Sequence, residues 1–398
     1  MRSKSNTRLL MAVILVLVPS LHSLGQQANV NLDYNPQKDT EGLIPFSAPL
    51  NSPDVRDDHT VVFRLRAPEA KEVKLTGALL TALGAGREGI PFTLGENGIW
   101  TLIVGPLEPD MYAYHFNVDG IKMTDPSNTI AAFTAMPPYS QLIVHGDGPA
   151  YYDARNVPHG NVTRHIYHSE VSSGERELYV YTPPGYDPFD SYPVLYLLGG
   201  SGELPSNWMY DGRANLILDN LLSEGKALPM LIAIPNNQII HRNHPEHVEL
   251  TFDMFEKELR NHVIPLVDSS YSTIEDPKGR AISGLSMGGR HAMFIGFRSL
   301  DLFGSFGILS AGDVNAETSL AYFLNDLDIN KKVDYLFIGQ GTAEANGFMG
   351  NRCVALDEAL TNHNIEHQYY VGGHGGHDWA TWRHLLYYQF LPNLWRNN

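Results

Sequence analysis

The 398-residue chain has a single cysteine, Cys353. No intrachain disulfide can therefore staple it, and stability must come from a packed core. Basic residues are also scarce: 28 Lys and Arg stand against 44 Asp and Glu, for a net charge of −16. A chain of that sign repels phosphate backbones and anionic lipid headgroups. This argues against nucleic-acid and peripheral-membrane roles and leaves neutral polymers as suitable partners. Spanning-length apolar runs are missing too. Residues 9–18 form an apolar stretch too short to cross a bilayer, and nothing later is longer, so membrane insertion is not expected. Internal repeats, low-complexity tracts and heptads are absent, which excludes solenoid and coiled-coil architectures. The histidine-rich tract His241-Arg242-Asn243-His244-Pro245-Glu246-His247 is broken by proline, so it lacks the i, i+4 spacing of a helical metal site; no metal and no cofactor are expected.

Arg2, Lys4 and Arg8 precede the apolar run, and Ser23 and Gly25 offer small residues for cleavage. Residues 1–25 thus read as a secretory signal peptide, and the absence of a cysteine just after it speaks against a lipoprotein. An exported protein, periplasmic or secreted, is expected. Residues 26–50 are polar and proline-containing, as in a leader. From 51 to 146 apolar residues alternate with polar ones, as in Val61, Phe63, Leu65, then Trp100, Leu102, Val104, then Tyr112, Tyr114, Phe116, Val118. Glycine and proline clusters separate these runs, which predicts an immunoglobulin-like β-sandwich. Its rings have the chemistry to stack on sugars, but strict alternation favours a core role for most of them. Residues 147–176 read as a linker. From 177 to 398 strand-like and helix-like patterns alternate, which predicts a doubly wound, mostly parallel α/β sheet. Ligands bind such sheets at the carboxyl ends of the strands.

The sharpest motif is Gly284-Leu285-Ser286-Met287-Gly288, between a short apolar strand and a helix-forming run. This is the form of a nucleophile elbow, which suits an α/β-hydrolase and makes Ser286 the candidate nucleophile. A serine hydroxyl needs a base, and the base needs an orienting acid. In chain order the acid should follow a later strand, and Glu344 stands in the loop after residues 335–338; Asp334 and Asp357 fit less well. The loop Gly372-Gly373-His374-Gly375-Gly376-His377 follows the last strand. His377, which opens a helix beside Trp379, is favoured as base over His374. Backbone N–H groups of Met287 and Ser201 are expected to hold an oxyanion, with Gly200 as the alternative to Ser201. Trp208, Trp379 and His374 are candidates to line a substrate pocket.

Residues 177–397 resemble carbohydrate esterase family one, which contains feruloyl and acetyl-xylan esterases and is similar to enterochelin esterases. The resemblance is carried by Tyr192-Pro193-Val194-Leu195-Tyr196-Leu197-Leu198, by Gly284-Leu285-Ser286-Met287-Gly288-Gly289, and by Gly376-His377-Asp378-Trp379 with Trp382-Arg383. Residues 51–145 are similar to the early-set, glycogen-binding-like sandwich that precedes such esterases, through Gly105-Pro106-Leu107-Glu108-Pro109, Asp119-Gly120 and Asp125-Pro126-Ser127-Asn128. The resemblance implies Ser286 as nucleophile, His377 as base, Glu344 as acid and an acylated plant polysaccharide or oligosaccharide as substrate. The chain departs from the family in having Gly199 where a histidine is usual and Glu344 where an aspartate is usual. Two other expectations stand beside the polysaccharide esterase: a siderophore esterase, and a carbohydrate-binding protein with a weakened esterase domain. Oligomeric state leaves no signature in the sequence.

Overall fold

Alternation over residues 110–118 becomes the longest strand of the front region in the computed structural model, which describes residues 50–134, 137–241 and 243–396. The expected signal peptide and all but the last residue of the leader lie outside these. Strand Asp110–Val118 pairs antiparallel with Val73–Thr76 on one edge, and with Ile121–Met123 and Tyr139–Val144 on the other. Its sheet faces a second antiparallel one that contains Val61–Arg66 and Ile99–Val104. Phe63, Leu65, Trp100, Tyr114 and Phe116 fill the space between the two sheets. The period-two pattern thus produces the expected sandwich, and its rings are mostly core.

The larger sheet has eight strands: β1 (Asn161–Ser169), β2 (Gly174–Thr182), β3 (Val194–Leu198), β4 (Leu231–Pro235), β5 (Arg280–Leu285), β6 (Ser305–Leu309), β7 (Tyr335–Gln340) and β8 (Gln368–Val371). Their spatial order is β1-β2-β4-β3-β5-β6-β7-β8, and the main helices between and after them are α1 (Ala214–Ser223), α2 (His247–Glu258), α3 (Met287–Gly296), α4 (Phe348–Asn362) and α5 (Trp379–Leu385). From β4 to β8 neighbours run parallel, whereas the β1–β2 and β2–β4 pairs are antiparallel. This is the doubly wound α/β-hydrolase sheet. Val194, Tyr196 and Leu198 of β3 point into one apolar layer, and Leu195 and Leu197 into the other. A strand covered on both faces reads as a continuous apolar run, which is why β3 was legible without alternation. Burial of each such side chain contributes about 1.5–3 kcal/mol.

One boundary needs correcting. The stretch 147–176, read as linker, contains all of β1 and the start of β2. Residues Asn161 to Arg164 are exposed at the edge of the sheet, and farther along His165, Tyr167 and Ser169 turn inward while Ile166 faces solvent, so β1 lacks an apolar-in, polar-out pattern. The histidine-rich tract after β4 forms an exposed turn, residues His241 to Glu246 with Arg242 outside the described residues, that leads into the helix His247–Glu258. Sandwich and sheet belong to one compact unit, Leu50–Asn398.

Candidate active site

Strand β5 ends at Leu285, and the helix α3 (Met287–Gly296) begins two residues later. Ser286 sits between them at φ 51°, ψ −114°, a backbone conformation that costs on the order of 1–3 kcal/mol and persists only where the surroundings enforce it. Here they do so by close packing. A Cβ at Gly284 would lie 2.5 Å from the Gly288 carbonyl carbon, and one at Gly288 would lie 2.5 Å from the Gly199 oxygen. Two glycines therefore let strand, helix and the loop after β3 meet around the serine.

Two later loops reach the same point. After β7 a tight turn, Thr342–Glu344, brings Glu344 beneath the last loop of the domain, 7% exposed. After β8 the glycine-rich loop delivers His377. Its Nε2 lies 2.9 Å from Ser286 Oγ and its Nδ1 lies 2.8 Å from Glu344 Oε2. The carboxylate fixes the tautomer, with Nδ1–H donating to Glu344 and Nε2 left to accept from the serine. Glu344 Oε1 in turn accepts from Ser310 Oγ and, at 3.0 Å, from the Gly341 N–H. The helix α5 (Trp379–Leu385) carries the loop: Asp378 caps it, accepting from Thr381 N at 3.3 Å and from Gly376 N at 3.1 Å. Trp382 presents its face or edge at right angles to the His377 ring, with centroids 5.2 Å apart.

The loop after β3 lies alongside. A side chain on Gly200 would come within 3.5 Å of Ser286 Cβ. The Gly200 N–H donates to Glu203 Oε2 at 2.8 Å, so Gly200 does not fit the alternative oxyanion role; the Ser201 N–H makes no such bond among the described residues. Met287 opens α3, where the first-turn N–H groups have no partner within the helix. The geometry thus brings the first turn of α3 and the loop after β3 beside a hydroxyl that is hydrogen-bonded to an imidazole, which is the equipment for acyl transfer.

Beside His377 a cleft of about 230 Å³ opens between sandwich and catalytic domain. Trp379 lines it, as expected. Trp208 does not: it is 0% exposed, gives its indole N–H to the Leu198 carbonyl at 3.0 Å and packs edge-on against Trp379. His374 also misses the cleft. It bonds the sandwich carboxylate Asp110 Oδ2 at 2.9 Å, and that contact raises its pKa above the usual histidine range. Sequence reasoning missed Glu203, Asp211 and Ser310. Burial pushes the Glu203 carboxyl up to about 8, with Asp211 adding to the rise. Their only early signal was proximity to the Gly199 loop and to the carboxyl end of a strand.

A family model named Esterase matches residues 169–391, more than half of the chain. The chain belongs to the Esterase family. This esterase is 31% identical over 363 residues to an endo-1,4-beta-xylanase/feruloyl esterase of Xylanibacter ruminicola, a match covering 88% of this chain and 47% of that protein. It is 27% identical over 240 residues to endo-1,4-beta-xylanase Y of Acetivibrio thermocellus, covering 54% of this chain and 21% of that protein. The esterase thus spans about half and about a fifth of these relatives' lengths. Among solved structures, a ferulic acid esterase from Anaeromyces mucronatus in complex with ferulic acid aligns with a TM-score of 0.52 at 25% identity, over 62% of this chain and 96% of that one. An enterochelin esterase from Shigella flexneri aligns with a TM-score of 0.65 at 15% identity, over 85% of this chain and 93% of that one. That second likeness is one of fold.

Proposed function

We propose that this esterase is an exported serine hydrolase that removes feruloyl or acetyl groups from a plant polysaccharide such as xylan. The observation that carries the reading is the unbroken hydrogen-bonded line from Ser286 through His377 to Glu344 on a strained elbow. Relatives named for xylanase and feruloyl esterase activity support the substrate class, and the N-terminal sequence pattern supports export.

In this mechanism His377 Nε2 takes the Ser286 proton as Oγ attacks the ester carbonyl. The tetrahedral oxyanion is held by the N–H groups of Met287 and Ser201. His377 then gives the proton to the leaving sugar oxygen, and an acyl-enzyme remains. Water repeats the cycle and releases the acid. Glu344 holds the imidazole in place and stabilises the imidazolium that forms. An iron-chelating siderophore, being anionic, suits the cleft poorly: the arginine that lines it, Arg383, is already bound to Asp110.

The test is steady-state hydrolysis of 4-nitrophenyl acetate and methyl ferulate by the wild type and by Ser286→Ala. We expect kcat for both esters to fall by a factor of about 10³ or more in the variant, with its thermal unfolding unchanged. Turnover that survives the substitution would mean that another group does the chemistry.

A further inference from the structure

Strand Asp110–Val118 serves two domains with its two faces. Tyr112, Tyr114 and Phe116 are buried in the sandwich core, so the alternate residues Met111, Ala113 and His115 point outward. Met111 packs into the core of the catalytic domain, and Ala113 and His115 line the cleft beside His377. The adjoining strand adds Gln141, opposite Ala113 in register, and Tyr139, whose ring lies 6.0 Å from that of His115. Across the cleft stand Trp379 and Trp382 of α5. The cleft also reaches the flanks of the nucleophile. His377 lines it and lies 2.9 Å from Ser286 Oγ; Glu203 lines it and holds Gly200, the residue packed against Ser286.

We propose that the sandwich forms one wall of the acyl pocket, and that its Ala113 and His115 set the size of the acyl group the cleft admits. The inference rests on the esterase reading above. Small Ala113 leaves the room, and the two indoles supply flat apolar surface for a planar ring. Glu203 Oε1 has no hydrogen-bond partner among the described residues and is the polar group available to a phenolic hydroxyl. Because burial holds its proton near neutral pH, Glu203 can donate or accept there without placing a full charge against the ring. An acetyl group would leave the same cleft unfilled, so the front domain should select for acyl size.

Filling the sandwich side alone tests this. Wild type, Ala113→Leu and His115→Trp are assayed on methyl ferulate and 4-nitrophenyl acetate, with thermal unfolding as the check on folding. The ratio of kcat/KM for ferulate to that for acetate should fall at least tenfold in each variant that folds. As a readout independent of turnover, ferulate should quench tryptophan fluorescence of Ser286→Ala, and do so at least tenfold more weakly once Ala113→Leu is added. If both esters lose rate in equal proportion, or the ratio and the quenching stay as in the wild type, the cleft is not the acyl pocket. Failure of the esterase reading looks different: the wild type would hydrolyse neither ester, or Ser286→Ala would remain active.

Discussion

At the level of single residues, Glu344 carries one methylene more than the aspartate usual at this position, and Ser310 shows how the extra length is held. Ser310 follows β6 with φ 48°, its N–H on the Gly339 carbonyl at 2.7 Å. From there its Oγ donates to Glu344 Oε1 and accepts from the Trp382 indole N–H at 3.0 Å. The acid is therefore pinned on one oxygen while the other faces His377. A hydrogen bond to a charged group contributes about 1.5–3 kcal/mol. Part of that should be expressed as orientation of the imidazole, so Ser310→Ala should lower kcat about tenfold on 4-nitrophenyl acetate while KM changes less than twofold. Steady-state kinetics on the purified variant decides this. An unaltered kcat would show that the Gly341 N–H suffices to hold the acid.

Among the elements, the loop after β3 matters most, because its backbone must stay aimed at Ser286 without help from the histidine usual at position 199. The loop after β4 takes over that task. Asn237 Nδ2 donates to the Gly199 carbonyl at 2.8 Å, Gln238 Nε2 donates to the Gly200 carbonyl at 2.8 Å, and Gln238 Oε1 accepts from Gly202 N at 3.1 Å. Asn237 is itself braced by His291 of α3, 3.2 Å away, whose burial pushes its pKa down to about 3 and keeps it a neutral partner. Removing both Gln238 bonds should loosen the oxyanion donors more than the ground-state complex. Gln238→Ala should thus lose kcat and kcat/KM together, by about 10–100-fold, as expected for a contact that matters in the transition state. A rise in KM alone would place Gln238 in substrate binding instead. The elbow, the buried strands and the histidine loop were legible in the sequence because each is local: glycine at a close approach, an apolar run, a loop after a strand. This clamp was not, since Gly200 and Gln238 meet only once β3 and β4 lie side by side. The edge strand β1 was hidden because Val162 and Ile166 face solvent while His165, Tyr167 and Ser169 turn inward, and Trp208 was misread because nothing in a sequence tells a pocket wall from a ring sealed beneath it.

For the molecule as a whole, the decisive contact joins the two domains through Asp110. This carboxylate, on the sandwich strand, binds Arg383 of α5 through one oxygen and His374 of the glycine-rich loop through the other. Arg383 is 1% exposed and also donates to the Asp211 carbonyl at 2.7 Å and to that of Met111 at 3.2 Å. The loop bearing His377 is therefore gripped on both sides by one residue of the front domain. Asp110→Asn would leave a buried guanidinium without its counter-charge, at a cost of about 3–5 kcal/mol. It should also lower turnover of 4-nitrophenyl acetate, an ester with no polysaccharide for the sandwich to bind. The pH dependence carries a distinct signature. Burial pushes the Asp110 carboxyl up, but Arg383 and His374 outweigh it and bring it down to about 2. Its folded pKa then lies below the unfolded value, so its stabilisation is present above pH ~4 and lost as pH falls through about 2. His374 behaves in the opposite sense: Asp110 raises its pKa, so its contribution is full below pH ~6.5 and fades as pH rises through the folded value. The melting-temperature gap between wild type and Asp110→Asn should therefore be widest between about pH 4 and 6.5, narrowing in acid as Asp110 protonates and more gently in base as His374 loses its charge. Thermal unfolding from pH 2 to 9 measures it, and a gap that is constant across that range would show that Asp110 joins the domains by packing and not by charge.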